Sequence, residues 1–83
     1  PNPFNPSTTI EFNVPGYEFV KVDIYNSAGQ FVVNLANEEL APGAYKTTWD
    51  GRDHQGREVA SGVYTYRMRS GTFTATKSMT FIK

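Results

Sequence analysis

Apolar and polar side chains alternate with a period of two in several short stretches of this chain, the spacing of strands with one covered face. In residues 8–14, Ile10, Phe12 and Val14 fall on one side and Thr9, Glu11 and Asn13 on the other. Pro15-Gly16 ends that stretch, and Val20, Val22 and Ile24 then alternate with Lys21, Asp23 and Tyr25. Asn26-Ser27-Ala28-Gly29 reads as a turn with Gly29 at positive φ. Residues 30–35 form a third strand of unsettled phase. Phe31, Val33 and Leu35 fit one face while Val32 is apolar too, so both faces are covered or the strand carries a bulge. Residues 36–42 read as a loop, with a short edge strand at 38–40 as a marginal extra element. A strand from Gly43 turns Tyr45, Thr47 and Trp49 inward, and 50–58 is a polar excursion. Residues 63–69 place Tyr64, Tyr66 and Met68 on one face, and Ser70-Gly71 makes a compact hairpin turn. The last stretch, 73–82, carries Phe73, Ala75, Met79 and Phe81 on one face, with Lys77 in the same phase. Ahead of all this, Pro1-Asn2-Pro3-Phe4-Asn5-Pro6 is an extended lead-in, because three prolines remove backbone donors; Phe4 is its apolar anchor.

Composition agrees with strands. Val, Ile, Thr, Phe, Tyr and Trp supply 31 of the 83 residues, and Leu occurs only at 35 and 40, a usage that suits pleated surfaces and makes poor helix. Six or seven short strands with turn residues between them predict an all-β, antiparallel sandwich of the immunoglobulin-like or fibronectin type III-like kind, with Trp49 as its large central residue. A small barrel is the other arrangement open. The length supports a single domain over 1–83. No apolar run approaches the ~20 residues of a transmembrane segment. The absence of cysteine removes disulfides, thiolate metal sites and cysteine nucleophiles. Since the sequence starts at Pro1 without Met, it is expected to be an excised or processed piece, any signal peptide lying upstream.

Charge is balanced overall but not along the chain. Residues 1–58 hold all eight acids and four bases, a net of −4, while 59–83 hold Arg67, Arg69, Lys77 and Lys83 and no acid, a net of +4. A neutral total speaks against nucleic acid as a partner. The basic end is either a solvated hairpin that discourages edge-to-edge aggregation or a surface that meets an acidic partner.

The densest polar run is Asp50 to Glu58. Asp50 and Asp53, three apart in a Gly-bearing loop, are a weak calcium candidate, since EF-hand spacing is not kept; the favoured reading is that both accept backbone N–H bonds and shape turns, with Arg52 or Arg57 pairing across the loop. His54 is the single histidine and has no nucleophile pattern or second His beside it. This predicts no enzyme, no metal centre and no cofactor. Of the many rings, Tyr17 and Tyr25 are expected to be exposed and the others packed.

Several short motifs now fall in order: Pro1-Asn2-Pro3-Phe4, Gly29-Gln30 after Ile24-Tyr25, Trp49-Asp50-Gly51-Arg52-Asp53 followed by Gly56, and Ala60-Ser61-Gly62-Val63-Tyr64. Together they resemble the C-terminal sorting domains of the bacterial type IX secretion system, above all the subgroup that overlaps the immunoglobulin-like domain of the flagellar hook-capping protein. The resemblance spans essentially the whole chain. Its recurring motifs fall on Pro1 to Pro3, Gly29 to Val32, Gly62 to Tyr64, and Lys77. It implies a non-catalytic sorting domain that follows an upstream cargo domain and is recognised by a secretion machinery protein at the outer membrane. The cargo would reach the cell surface via the periplasm, with any cleavage upstream of Pro1. Candidate recognition residues are Gly62, Tyr64, Arg67, Arg69, Lys77 and Lys83, with Gly62 letting the chain turn into the penultimate strand. The Trp-Asp-Gly loop fits the hook-cap relatives better. That keeps open a structural immunoglobulin-like module packing on a neighbouring domain or subunit of an extracellular enzyme or filament. A carbohydrate- or calcium-binding accessory domain is the third reading.

Overall fold

Six antiparallel strands follow the alternation: β1 (Thr8–Val14), β2 (Glu18–Asn26), β3 (Phe31–Leu40), β4 (Gly43–Trp49), β5 (Gly62–Ser70) and β6 (Phe73–Phe81). The computed structural model describes residues 7–83, so the Pro1–Pro6 lead-in with Phe4 lies outside the described residues. β1 and β4 form a two-stranded sheet, and a four-stranded sheet runs in the order β3-β2-β5-β6. The inner faces of the two sheets meet, as in an immunoglobulin-like sandwich.

Two apolar clusters fill the space between them. Ile10, Ile24, Val32, Trp49, Tyr64 and Phe81 close one end. Val14, Val20, Val22 and Met68 close the other, and Leu35 and Tyr66 touch both. In the first, the Trp49 ring meets Tyr64 edge-on at 5.0 Å and Phe81 at 4.8 Å between centroids. These three rings come from β4, β5 and β6, so the cluster ties the small sheet to the large one.

The uncertain phase of the third strand resolves into two bulges. Val22 faces Ala36 but Asp23 faces Asn34, which leaves Leu35 extra; Ile24 faces Val33 but Tyr25 faces Phe31, which leaves Val32 extra. The second irregularity buries Val32 and turns Phe31 outward. The loop expected over 36–42 is mostly strand. β2 begins at Glu18, its backbone groups need partners, and β3 supplies them as far as Leu40. The marginal element at 38–40 is therefore the end of β3.

Two further expectations shift. The β5–β6 turn is Gly71-Thr72, since Ser70 pairs with Phe73. Gly71, at φ 60, takes the first central position that a type II′ hairpin turn reserves for glycine. Phe73 was expected in the core but is 54% exposed, because the small sheet has only two strands and does not extend over that part of β6.

Gly51 is the most closely packed of the described glycines. It is buried, adopts φ 77, and a Cβ there would enter the Phe81 ring. The Gly51→Ala variant is expected to lose about 3 kcal/mol, combining overpacking with left-handed strain. Ser70 Oγ is buried without a hydrogen-bond partner among the described residues. Ser70→Ala is therefore expected to hold stability constant or raise it by up to about 1 kcal/mol. Urea unfolding of both variants checks the pair.

Candidate functional site

The Asp50–Val59 segment folds back on itself over the aromatic end of the core. Trp49 Nε1 donates to the Arg52 carbonyl at 3.0 Å, so the indole holds the loop that follows it. Asp50 Oδ1 accepts the Arg52 N–H at 3.1 Å. Asp53 Oδ1 accepts the Gln55 and Arg57 N–H groups at 2.9 and 3.0 Å. Arg52 donates to the Gly56 carbonyl and sits 3.6 Å from Glu58. Arg57 sits 3.4 Å from Asp53. The turn-shaping reading of Asp50 and Asp53 holds in detail. Among the described residues no group of three or more His, Cys, Asp or Glu is placed to hold a metal ion. Backbone N–H donation from Arg57, then from Gln55, together with the Arg57 charge, outweighs desolvation and holds Asp53 below the ordinary 3.8.

His54, within this loop, lines a cleft of about 350 Å³ together with Asn26, Gln30, Phe31, Arg57 and Tyr64 among others. Its backbone N–H donates to the Val32 carbonyl at 2.8 Å, and its ring lies 5.7 Å from that of Phe31. The second irregularity of β3 is what brings Phe31 outward to meet it.

The four C-terminal cations are divided by strand alternation among three places. Arg67 and Arg69 point to the outer face of the four-stranded sheet, beside Lys21 on β2. The Arg67 guanidinium lies 5.1 Å above the Tyr25 ring, which leaves Tyr25 half-buried rather than exposed; Tyr17 is 80% exposed, as expected. Lys77 lies on the inner side of β6, near Glu11 to Asn13 of β1. Lys83 is at the far end, where its N–H donates to Ser61 Oγ and its ammonium lies 3.8 Å from Glu58. Tyr64 buries its ring against Trp49 and donates to the Ala60 carbonyl at 2.6 Å. Gly62 opens β5 with a φ outside the left-handed region, and a Cβ there would meet only Tyr64, at 4.0 Å.

Asp23 is a buried acid that alternation alone does not reveal. It alternates onto the outer face, yet it is only 2% exposed. β2 has strands on both sides, and their side chains cover it. Asn34 Nδ2 donates to Asp23 Oδ1 at 2.8 Å, Arg69 lies 3.7 Å away and Lys21 4.0 Å away. The signal available was an acid between Val22 and Ile24 in a strand destined for the sheet centre, with bases on the neighbouring strand.

Residues 6–73, well over half of the chain, match the family model of the FlgD Ig-like domain. The chain belongs to that family. FlgD from P. aeruginosa superposes with a TM-score of 0.72 at 22% identity, over 90% of this chain and 58% of that one. FlgD from Xanthomonas campestris, described for hook capping essential to flagellar assembly, gives 0.71 at 26% identity, over 93% and 56%. The chain thus spans little more than half the length of these FlgD proteins. A local likeness to C5a peptidase of Streptococcus pyogenes reaches 62% identity over 24 residues, which is 29% of this chain and 2% of the peptidase. The FlgD Ig-like match ends at the β5–β6 turn, so Lys77 and Lys83 lie beyond it.

Two outcomes follow from these contacts. Asp23→Ala removes one of the three acceptors of Asn34 Nδ2 and the buried counter-charge of Arg69 and is expected to cost about 2 kcal/mol, read by thermal or urea unfolding. Asp53, with its native value depressed, contributes stability that is complete above its unfolded value and fades as pH falls through the lower native one. Carbon-detected NMR titration should place its midpoint below 3.8, and Asp53→Asn should remove that acid-side dependence.

Proposed function

We propose that this FlgD-type domain is a non-catalytic structural module that packs on a neighbouring domain or subunit of an extracellular protein. The observation that carries the reading is the use of the polar residues of the Asp50–Val59 loop. Asp50, Asp53 and Arg52 are engaged with the loop's own backbone, and the Arg52 and Arg57 guanidinium groups with its carboxylates. Apolar side chains, by contrast, stand out at Tyr17, Phe19, Val63 and Phe73, as suits contact with another macromolecule. In the parent protein, deleting residues 1–83 should lower the melting temperature of the adjoining domain. Hydrogen exchange should show these exposed segments protected in the whole protein relative to the isolated chain. Identical melting and exchange with and without the neighbour would sink the reading.

The sorting function is a second reading, favoured by Arg67 and Arg69, whose half-exposed heads are presented on one sheet face with Asp23 buried beneath Arg69. A secretion machinery protein at the outer membrane would read that face and carry an upstream cargo domain through the periplasm to the cell surface. A passenger fused ahead of residues 1–83 should then be exported, and Arg67→Ser should reduce export without unfolding the domain. Export that is unaffected by the fusion or the variant removes this reading.

A further inference from the structure

We propose that the free edge of β1, together with the uncovered Phe73–Lys77 part of the inner face of β6, is a site for strand addition. Its occupant is an extended partner segment with apolar residues at alternate positions and a carboxylate set over Lys77. The proposal rests on the packing-module reading and names the contact by which the module docks.

The two sheets are unequal. The small one has β1 and β4, the large one β3, β2, β5 and β6, and among the described residues nothing pairs with the second edge of β1. That edge presents backbone N–H and C=O groups at every other residue. Beside it lies a cleft of about 280 Å³ lined by Phe12, Tyr66, Met68, Phe73, Ala75 and Lys77 among others. The floor is therefore the inner face of β5 and β6, and the wall is β1. A strand added to β1 would lie about 4.8 Å further on and about 10 Å above β6, where a third strand would make the small sheet cover the large one. Its inward side chains would land on Met68, Phe73 and Ala75, and Phe73 is the core-phase residue left exposed.

Charge selects the occupant. Lys77 pairs across the sheet with Tyr66, residues 59–83 contain no acid, and no carboxylate lies within 4.0 Å of its ammonium among the described residues. Glu11, the acid nearest along the cleft wall, stands in register opposite Lys46 of β4. A like-charged pair at its centre disfavours a second copy. Antiparallel β1–β1 pairing centred on the strand would set Glu11 against Glu11, and the overhang of β6 would bring two β6 strands into the same space. A single extended segment bearing a carboxylate meets neither obstacle, and its backbone bonds give affinity while the floor gives register.

The test is an amide NMR titration of the 83-residue chain. The probe is a peptide alternating valine and threonine with one central glutamate, and its control carries lysine there. Shifts confined to Thr8–Val14 and Phe73–Lys77, with the glutamate peptide bound roughly threefold more tightly, are expected; Lys77→Glu should reverse the preference by a similar factor. Because Lys77 is exposed on an edge strand, the variant should keep the wild-type spectrum elsewhere. Absence of binding at millimolar peptide overturns the proposal, as does equal binding of both peptides. Shifts that track chain concentration instead would make the edge a self-association surface, and complete exchange protection of Glu11–Asn13 in the isolated chain would mean the chain covers its own edge; either overturns it. Since the readout uses the isolated chain, it fails or succeeds apart from the melting experiment on the parent protein.

Discussion

The contact on which the rest of the structure depends is the meeting of Trp49 with Tyr64 and Phe81. Each ring comes from a different strand, and Trp49 alone crosses from the small sheet to the large one within this group. A domain of this length holds only about 4–12 kcal/mol of net stability, while burying a large aromatic contributes about 3–5. One cluster thus supplies a large part of what keeps the sheets together. It also explains the Trp-Asp-Gly sequence. Phe81 occupies the space where residue 51 would carry a side chain, and the indole N–H needs the Arg52 carbonyl within reach. The motif is a closure for the aromatic end, and its acids serve the closure.

Most of the fold is legible in the chain because, outside β3, the apolar residues keep largely to one side of each strand. Ile10, Val14, Val20, Val22, Ile24, Trp49, Tyr64 and Met68 all follow it into the core. β3 departs from alternation at Val32 and Leu35, and a bulge cannot be told from a two-sided strand by period alone. Asp23 and Phe73 have burial opposite to what their type suggests, for a common reason. Alternation assigns a side but says nothing about how many neighbours lie on that side. Asp23 sits on the outer side of a central strand and is covered; Phe73 sits on the inner side of an edge strand and is not.

The same geometry recasts the charge distribution. Four cations within residues 59–83 look like one basic surface when read in line. Odd and even positions of a hairpin face opposite ways, so Arg67 and Arg69 share a face with Lys21, Lys77 turns toward β1, and Lys83 reaches Glu58. The basic segment is thereby three separate local environments, one neutralised in part by Asp23 and one by Glu58.

The pairing of Thr8 with Trp49 carries an entropic consequence. β2 with β3 and β5 with β6 are hairpins that close short loops, whereas β1 reaches β4 only after the intervening hairpin has been enclosed. Closing that loop costs chain entropy, and the central β2–β5 pairing, which brings Asn26 to Tyr64, encloses a longer one still than the Val14–Gly43 contact of β1 with β4. The two hairpins are then the local units of the fold, and the β1–β4 and β2–β5 pairings are the non-local closures that join everything else to them.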